Sequence, residues 1–140
     1  MSTSVSVFDE ERFQNAIADV RADSVQTTWA LFAHHESSPN VIECVGDGSG
    51  DLSDMVDLMD DAQFMYGLVR LEQAFDMSTT VKFAYVILGG KDVKFVKRGK
   101  FGVVQGAIEG LFSPYHIVVE VDTKDDITQE LIETKLQETR

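Results

Sequence analysis

Residues 63–71 read QFMYGLVRL and residues 82–88 read KFAYVIL. Both runs are rich in aromatic and β-branched side chains, the composition that favours strands. A polar stretch at Glu72–Thr79 reads as an exposed loop between them. So short a connection cannot carry a right-handed crossover, which needs a dozen or more residues, so the two strands are expected to be antiparallel neighbours. A doubly wound nucleotide-binding sheet is thereby excluded.

Outward from this pair, the chain alternates strands and amphipathic helices. Upstream, Thr28–Ala33 (TWALFA) and Val41–Val45 read as a hairpin around the turn Ser37-Ser38-Pro39. Gly46–Gly50 (GDGSG) is expected to break the chain in a turn. Asp51–Asp60 follows with Leu52, Met55, Val56 and Met59 on one side and four aspartates on the other, a short helix. Nearer the start, Asp9–Arg21 sets Phe13, Ala16, Ile17 and Val20 on one helical face, with acids in its first turn.

Downstream, Gly89-Gly90 is a turn, Val93–Val96 a candidate short basic strand, and Phe101–Phe112 a helix on the spacing of Phe101, Val104, Ile108 and Leu111. Ser113-Pro114 ends that helix. Tyr115–Val121 is a β-branched strand, and Thr128–Glu138 a final helix. The fold class expected is α/β of the α+β type: a central mixed sheet of five or six strands with helices on both faces. One domain over 9–138 follows a flexible N-terminal tail over 1–8.

Size and composition agree with a single globular unit. The chain has 140 residues, 44% hydrophobic and 26% charged. The lone cysteine, Cys44, has no internal disulfide partner and suits a reducing compartment. The longest apolar run, Ala84–Leu88, is far short of a membrane span, and residues 1–7 have neither the basic nor the apolar region of a signal peptide. A soluble cytoplasmic monomer without membrane insertion is expected.

The formal charge is −12, which disfavours nucleic acid as a partner. Its distribution is uneven. Between positions 82 and 100, Lys82, Lys91, Lys94, Lys97, Arg98 and Lys100 face a single acid, Asp92. This basic stretch on an acidic body reads as a surface for an acidic partner, or alternatively as lysines guarding a sheet edge.

Catalytic patterns are weak. His34, His35 and Cys44 contain a potential nucleophile and base, but adjacent histidines on a strand point to opposite faces, and Cys44 sits among Val41, Ile42 and Val45 as an inert buried thiol would. The stretch from Asp47 lacks the glycine and glutamate of a calcium loop, having Leu52 and Leu58 in those places. Trp29 reads as core. No enzyme, metal or cofactor is expected.

Several strings together resemble the actin-depolymerising-factor homology family, nearest its coactosin and drebrin/Abp-type branch. They are Thr28–Phe32 with its hairpin, the Gly46, Gly48, Gly50-Asp51-Leu52 run into an acidic helix, Met65–Arg70, and Lys82–Ile87. Lys97-Arg98-Gly99, leading through the next helix to His116–Val119, completes the set. The resemblance spans about Phe13 to Lys135. It implies the family's sheet-and-helix fold and binding to actin filaments at their sides, in association with the actin cytoskeleton. It implies Lys82 as a filament-binding lysine, with Lys97, Arg98, Lys100 and Lys135 as further contacts. The serine-containing start resembles a tail silenced by phosphorylation in the depolymerising factors, which makes Ser2 and Ser4 the corresponding positions. Monomeric actin binding with depolymerisation or severing is the alternative within the same family.

Overall fold

The computed structural model describes residues 4–139. Six strands, β1 (Ser6–Val7), β2 (Trp29–His34), β3 (Val41–Gly48), β4 (Phe64–Phe75), β5 (Ser78–Gly89) and β6 (Ile117–Val121), form one mixed sheet in the order β1-β3-β2-β4-β5-β6. The two outer pairs, β1–β3 and β5–β6, are parallel and the three inner pairs antiparallel. The expected five- or six-stranded sheet thus has six among the described residues. Val7, which falls within the expected tail, is paired with Ile42 of β3.

Among the described residues, four helices cover the two faces. On one, α2 (Leu52–Asp57) and α5 (Gln129–Glu138) bring Leu52, Met55, Ile132 and Leu136 against Trp29, Leu31, Val69, Val86 and Val119. On the other, α1 (Glu10–Arg21) and α4 (Gln105–Phe112) pack Phe13, Ile17, Ile108 and Phe112 against Phe32, Tyr66, Leu68 and Tyr85. The period-two alternation of β4 sends Tyr66 and Leu68 to one core and Val69 to the other. Helix starts follow local chemistry: Asp9 accepts from the Arg12 amide at 3.3 Å, Asp51 from Ser53 at 3.2 Å and Thr128 from Leu131 at 3.1 Å.

Three sequence expectations are corrected. Glu72–Thr79 is no loop: the β4–β5 ladder continues to Phe75↔Ser78 and turns only at Asp76-Met77. Backbone pairing there does not require apolar side chains, and Glu72, Gln73, Asp76, Ser78 and Thr79 outweigh the apolar ones in composition. Val93–Val96 is no strand, because Phe95 begins helix α3 (Phe95–Gly102). The single helix expected over 101–112 is instead the end of α3 and all of α4, broken at Val103-Val104 just after the weak helix former Gly102.

The glycine run is also different. Gly46 and Gly48 lie within β3, and only Gly50, at φ 96°, takes the turn conformation. A Cβ on Gly48 would stand 2.6 Å from the indole of Trp29, so the position must be bare for the tryptophan to lie across the strand. Trp29 itself is 4% exposed.

Trp29→Ala is therefore expected to cost about 3–5 kcal/mol of stability, measured by denaturant unfolding. Gly48→Ala should lower the melting temperature by displacing the same ring. An unchanged midpoint in both variants would show that this contact contributes nothing to the fold.

Candidate functional site

The basic stretch read along the sequence does not fold into one patch. On β5, Lys82 pairs with Leu71 of β4, whereas Gly89, farther along β5, pairs with Phe64 of β4. Seven residues at about 3.3 Å each place the two ends roughly 23 Å apart. Lys82 therefore belongs to one end of the molecule, and Lys97, Arg98 and Lys100 to the other.

At the Lys82 end the sheet narrows to two strands. β2 covers β4 only from Met65 to Val69, and β6 covers β5 only from Ala84 to Leu88. Beyond those positions β4 and β5 run on as a two-stranded arm, with Met77 fully exposed at its tip. A free ribbon of this kind is marginal in water, so its root must be held. Phe83 lies beneath two guanidinium groups, those of Arg21 at 5.0 Å and Arg70 at 5.9 Å. Arg21 donates to the Phe112 carbonyl at 2.9 Å; Arg70 donates to that of Val20 at 3.0 Å and pairs with Asp23. The Phe83 amide donates to Nδ1 of His116 at 2.8 Å. Lys82 is half-buried beside this clamp, and burial together with Lys82 and Arg21 lowers the pKa of His116. Lys135 stands exposed on α5 beside β6, and the next residue, Leu136, lines a cleft with residues 69–72 at the arm's root.

At the far end, α3 has no buried residue. Phe95 is 89% and Val96 69% exposed, flanked by exposed Lys94, Lys97 and Lys100. Arg98 is used internally: its Nε donates to the Val93 carbonyl at 3.3 Å, and its guanidinium reaches the carbonyls of Gly89 and Gly90 and lies over Phe64. It pins α3 to the end of β5, which leaves the lysines to face outward. Phe95 and Val96 were not among the expected site residues. The three-residue spacing of Lys94, Lys97 and Lys100 was the available helical signal.

Beneath α3, Phe101 stacks on His34 at 4.3 Å. His34 donates from Nδ1 to the Pro39 carbonyl at 2.8 Å, which makes Nε2 the acceptor for the Tyr66 hydroxyl at 2.7 Å; Gln105 donates to the same hydroxyl at 2.8 Å. His35 is engaged with Ser37 at 2.8 Å, and the Cys44 thiol donates to the Gly46 carbonyl. Burial raises the Cys44 pKa, opposite to what a nucleophile needs. Ser4 lies at this end too, its carbonyl accepting from Asn40 at 2.8 Å. Ser2 lies outside the described residues.

A family model described as cofilin/tropomyosin-type actin-binding protein matches residues 6–137. Among curated relatives, coactosin of Dictyostelium discoideum is 24% identical over 87% of this chain and 83% of its own length. The drebrin-like protein of Mus musculus is 25% identical over 88% of this chain, which spans only 28% of that relative. Among solved structures, coactosin from Entamoeba histolytica superposes with a TM-score of 0.84 at 18% identity, covering 99% of this chain and 98% of that one. Mouse coactosin, an actin filament binding protein, gives 0.76 at 20% identity over 98% and 92%.

The His34 network carries a pH expectation. Burial lowers the His34 pKa below the ordinary 6.5, so the fold favours the neutral ring. Its contribution is complete above that value and is lost as pH falls through the lowered one. Tyr66 of β4, Lys97 and Lys100 of α3, and Glu36 and Glu43 beside the β2–β3 turn share its surroundings. Melting temperature should decline from pH 7.5 to 5.5, and less steeply in His34→Gln. Identical slopes would assign the loss to other groups.

Proposed function

The chain belongs to the family of cofilin/tropomyosin-type actin-binding proteins, and on that premise we propose that it binds the sides of actin filaments in the coactosin manner, catalysing no reaction. The observation that carries this reading is α3, which leaves Phe95 and Val96 in water among Lys94, Lys97 and Lys100. An aromatic anchor ringed by charge is the composition of an interface hot spot, dried on binding while the lysines meet carboxylates. Lys82, Lys135 and the β4–β5 arm form the second contact. Two contacts about 23 Å apart favour a filament, where a second actin subunit adjoins the first and linked binding raises affinity.

In this reading Lys82, Lys97, Lys100 and Lys135 touch actin, and Arg98 acts by holding α3. The protein works as a cytoplasmic monomer on the actin cytoskeleton. Phosphate on Ser2 or Ser4 would add about −1.5 to −2 charge. On Ser4, at the α3 end, this would neutralise the lysines and repel an acidic partner, switching binding off.

Cosedimentation with filaments, run beside a monomer-binding titration, tests the proposal. Phe95→Ala and the pair Lys97→Glu with Lys100→Glu should each weaken pelleting while leaving the melting temperature unchanged, since all three side chains are exposed. Lys82→Ala should cost about 1–3 kcal/mol of filament affinity, as a charge-assisted contact does. Raising salt should weaken wild-type binding, because exposed charges are screened beyond about 8 Å at physiological ionic strength. Undiminished pelleting by the α3 variants would remove that helix from the interface, and tighter binding to monomer than to filament would favour the depolymerising alternative.

A further inference from the structure

The two edges of the sheet are treated differently. On one side the chain lays β1 along β3, so that Val41 and Ile42 are paired. On the other, β6 is bounded by β5 alone. The His116 amide donates to the Phe83 carbonyl, so it points toward β5. Backbone groups alternate along a strand, so those of Ile117, Val119 and Val121 point outward, and none of them meets a hydrogen-bond partner among the described residues. The edge is guarded only by its five-residue length and the single charge of Glu120: IVVEV has no lysine, no proline and no break in its register with β5, and Val118 is 42% exposed. Beside the strand a groove of about 660 Å³ opens between β6 and the Leu131 and Lys135 side of α5.

We propose that the free edge of β6 is a docking site for an extended, alternately apolar and basic segment of a partner protein, which adds to the sheet as a seventh strand. A strand seated about 4.8 Å from β6 places every second side chain beside Val119, Val121 and Leu131, where apolar residues fit. The intervening ones stand beside Val118 and Glu120 on the opposite face. Glu120 is exposed and has no ion pair among the described residues, so a lysine or arginine of the incoming strand completes a cross-strand pair. Asp126 also lines the groove, so that two carboxylates stand against the single ammonium of Lys135. The charge balance selects the same chemistry: with −12 on each chain, a second copy is repelled, whereas a basic segment is drawn in.

The probe is the blocked peptide acetyl-KVTVKVT-amide, titrated into the full chain and followed by amide chemical shifts and hydrogen exchange. Saturable shifts confined to β6 and the facing turn of α5 are expected, with slowed exchange at the amides of Ile117, Val119 and Val121. Replacing both peptide lysines by glutamate should weaken binding several-fold. Val121→Pro removes an outward amide, along with some packing of Val121 on the core, and should abolish docking in the folded variant, while Val118→Lys, at an exposed position, should weaken it by facing the peptide's lysines; the melting temperature of the latter should stay unchanged. Shifts elsewhere on the protein, equal binding of the glutamate peptide, or normal binding by both folded variants would overturn the proposal. So would a dimer through β6 in sedimentation equilibrium. Loss of filament pelleting in Val118→Lys would assign the edge to actin instead, whereas failure of wild-type pelleting alone would leave the peptide result standing.

Discussion

The antiparallel ladder between β4 and β5 is the element on which the remaining structure hangs. It runs from Phe64↔Gly89 to Phe75↔Ser78 without interruption, and its middle is buried on both faces. Because side chains alternate, this one ribbon supplies Tyr66, Leu68 and Tyr85 to the core beneath α1 and α4. The same ribbon supplies Val69, Ala84 and Val86 to the core beneath α2 and α5. A slip of one residue would exchange the two sets and set the tyrosines against the wrong helices. Register in this pair therefore determines which helix lies on which face.

The ladder is also longer than the sheet that contains it. Neighbouring strands stop at Val69 on one side and Ala84 on the other, so the surplus length becomes an arm. Its root is fixed by the Arg21–Phe83–Arg70 stack, which joins the arm to the end of α1. At the opposite end the same ribbon presents the Gly89 and Gly90 carbonyls to Arg98 and thereby seats α3. One structural element thus spaces two basic surfaces and sets the distance between them. An arginine and a lysine in the same basic stretch have different tasks for a geometric reason: guanidinium, with five donors in a planar fork, satisfies several carbonyls at once, while the ammonium of a lysine stays hydrated at the surface.

The edges of the sheet show how little chain is needed to alter a surface. Two residues, Ser6 and Val7, are enough to pair the start of β3, whereas among the described residues no strand covers the outer side of β6. An open edge beside a groove differs from the α3 surface in what it recognises. The edge offers backbone hydrogen bonds that any extended segment satisfies, and side chains then select among segments. The α3 surface offers an aromatic ring and charges, which require a matching folded surface.

What the sequence by itself determined is the set of strands and helices whose side chains alternate between core and water. The faces of α1 and α2, the strands around Trp29 and Tyr66, and the mixed sheet with helices on both sides follow from periodicity, because burial imposes it. The family was legible in the order and spacing of short strings from Thr28 to Val119. Where pattern and burial part company, only the tertiary structure decided. The arm continues the ladder through Glu72 and Gln73, paired with Val81 and Thr80, because backbone hydrogen bonds are indifferent to side-chain polarity. Gly48 is bare because Trp29 crosses it, a contact 19 positions away in the chain that no local pattern records. Above all, net charge counted along residues 82–100 looked like one strip, but β5 carries its ends to opposite poles of the molecule, since proximity in sequence along an extended strand is distance in space.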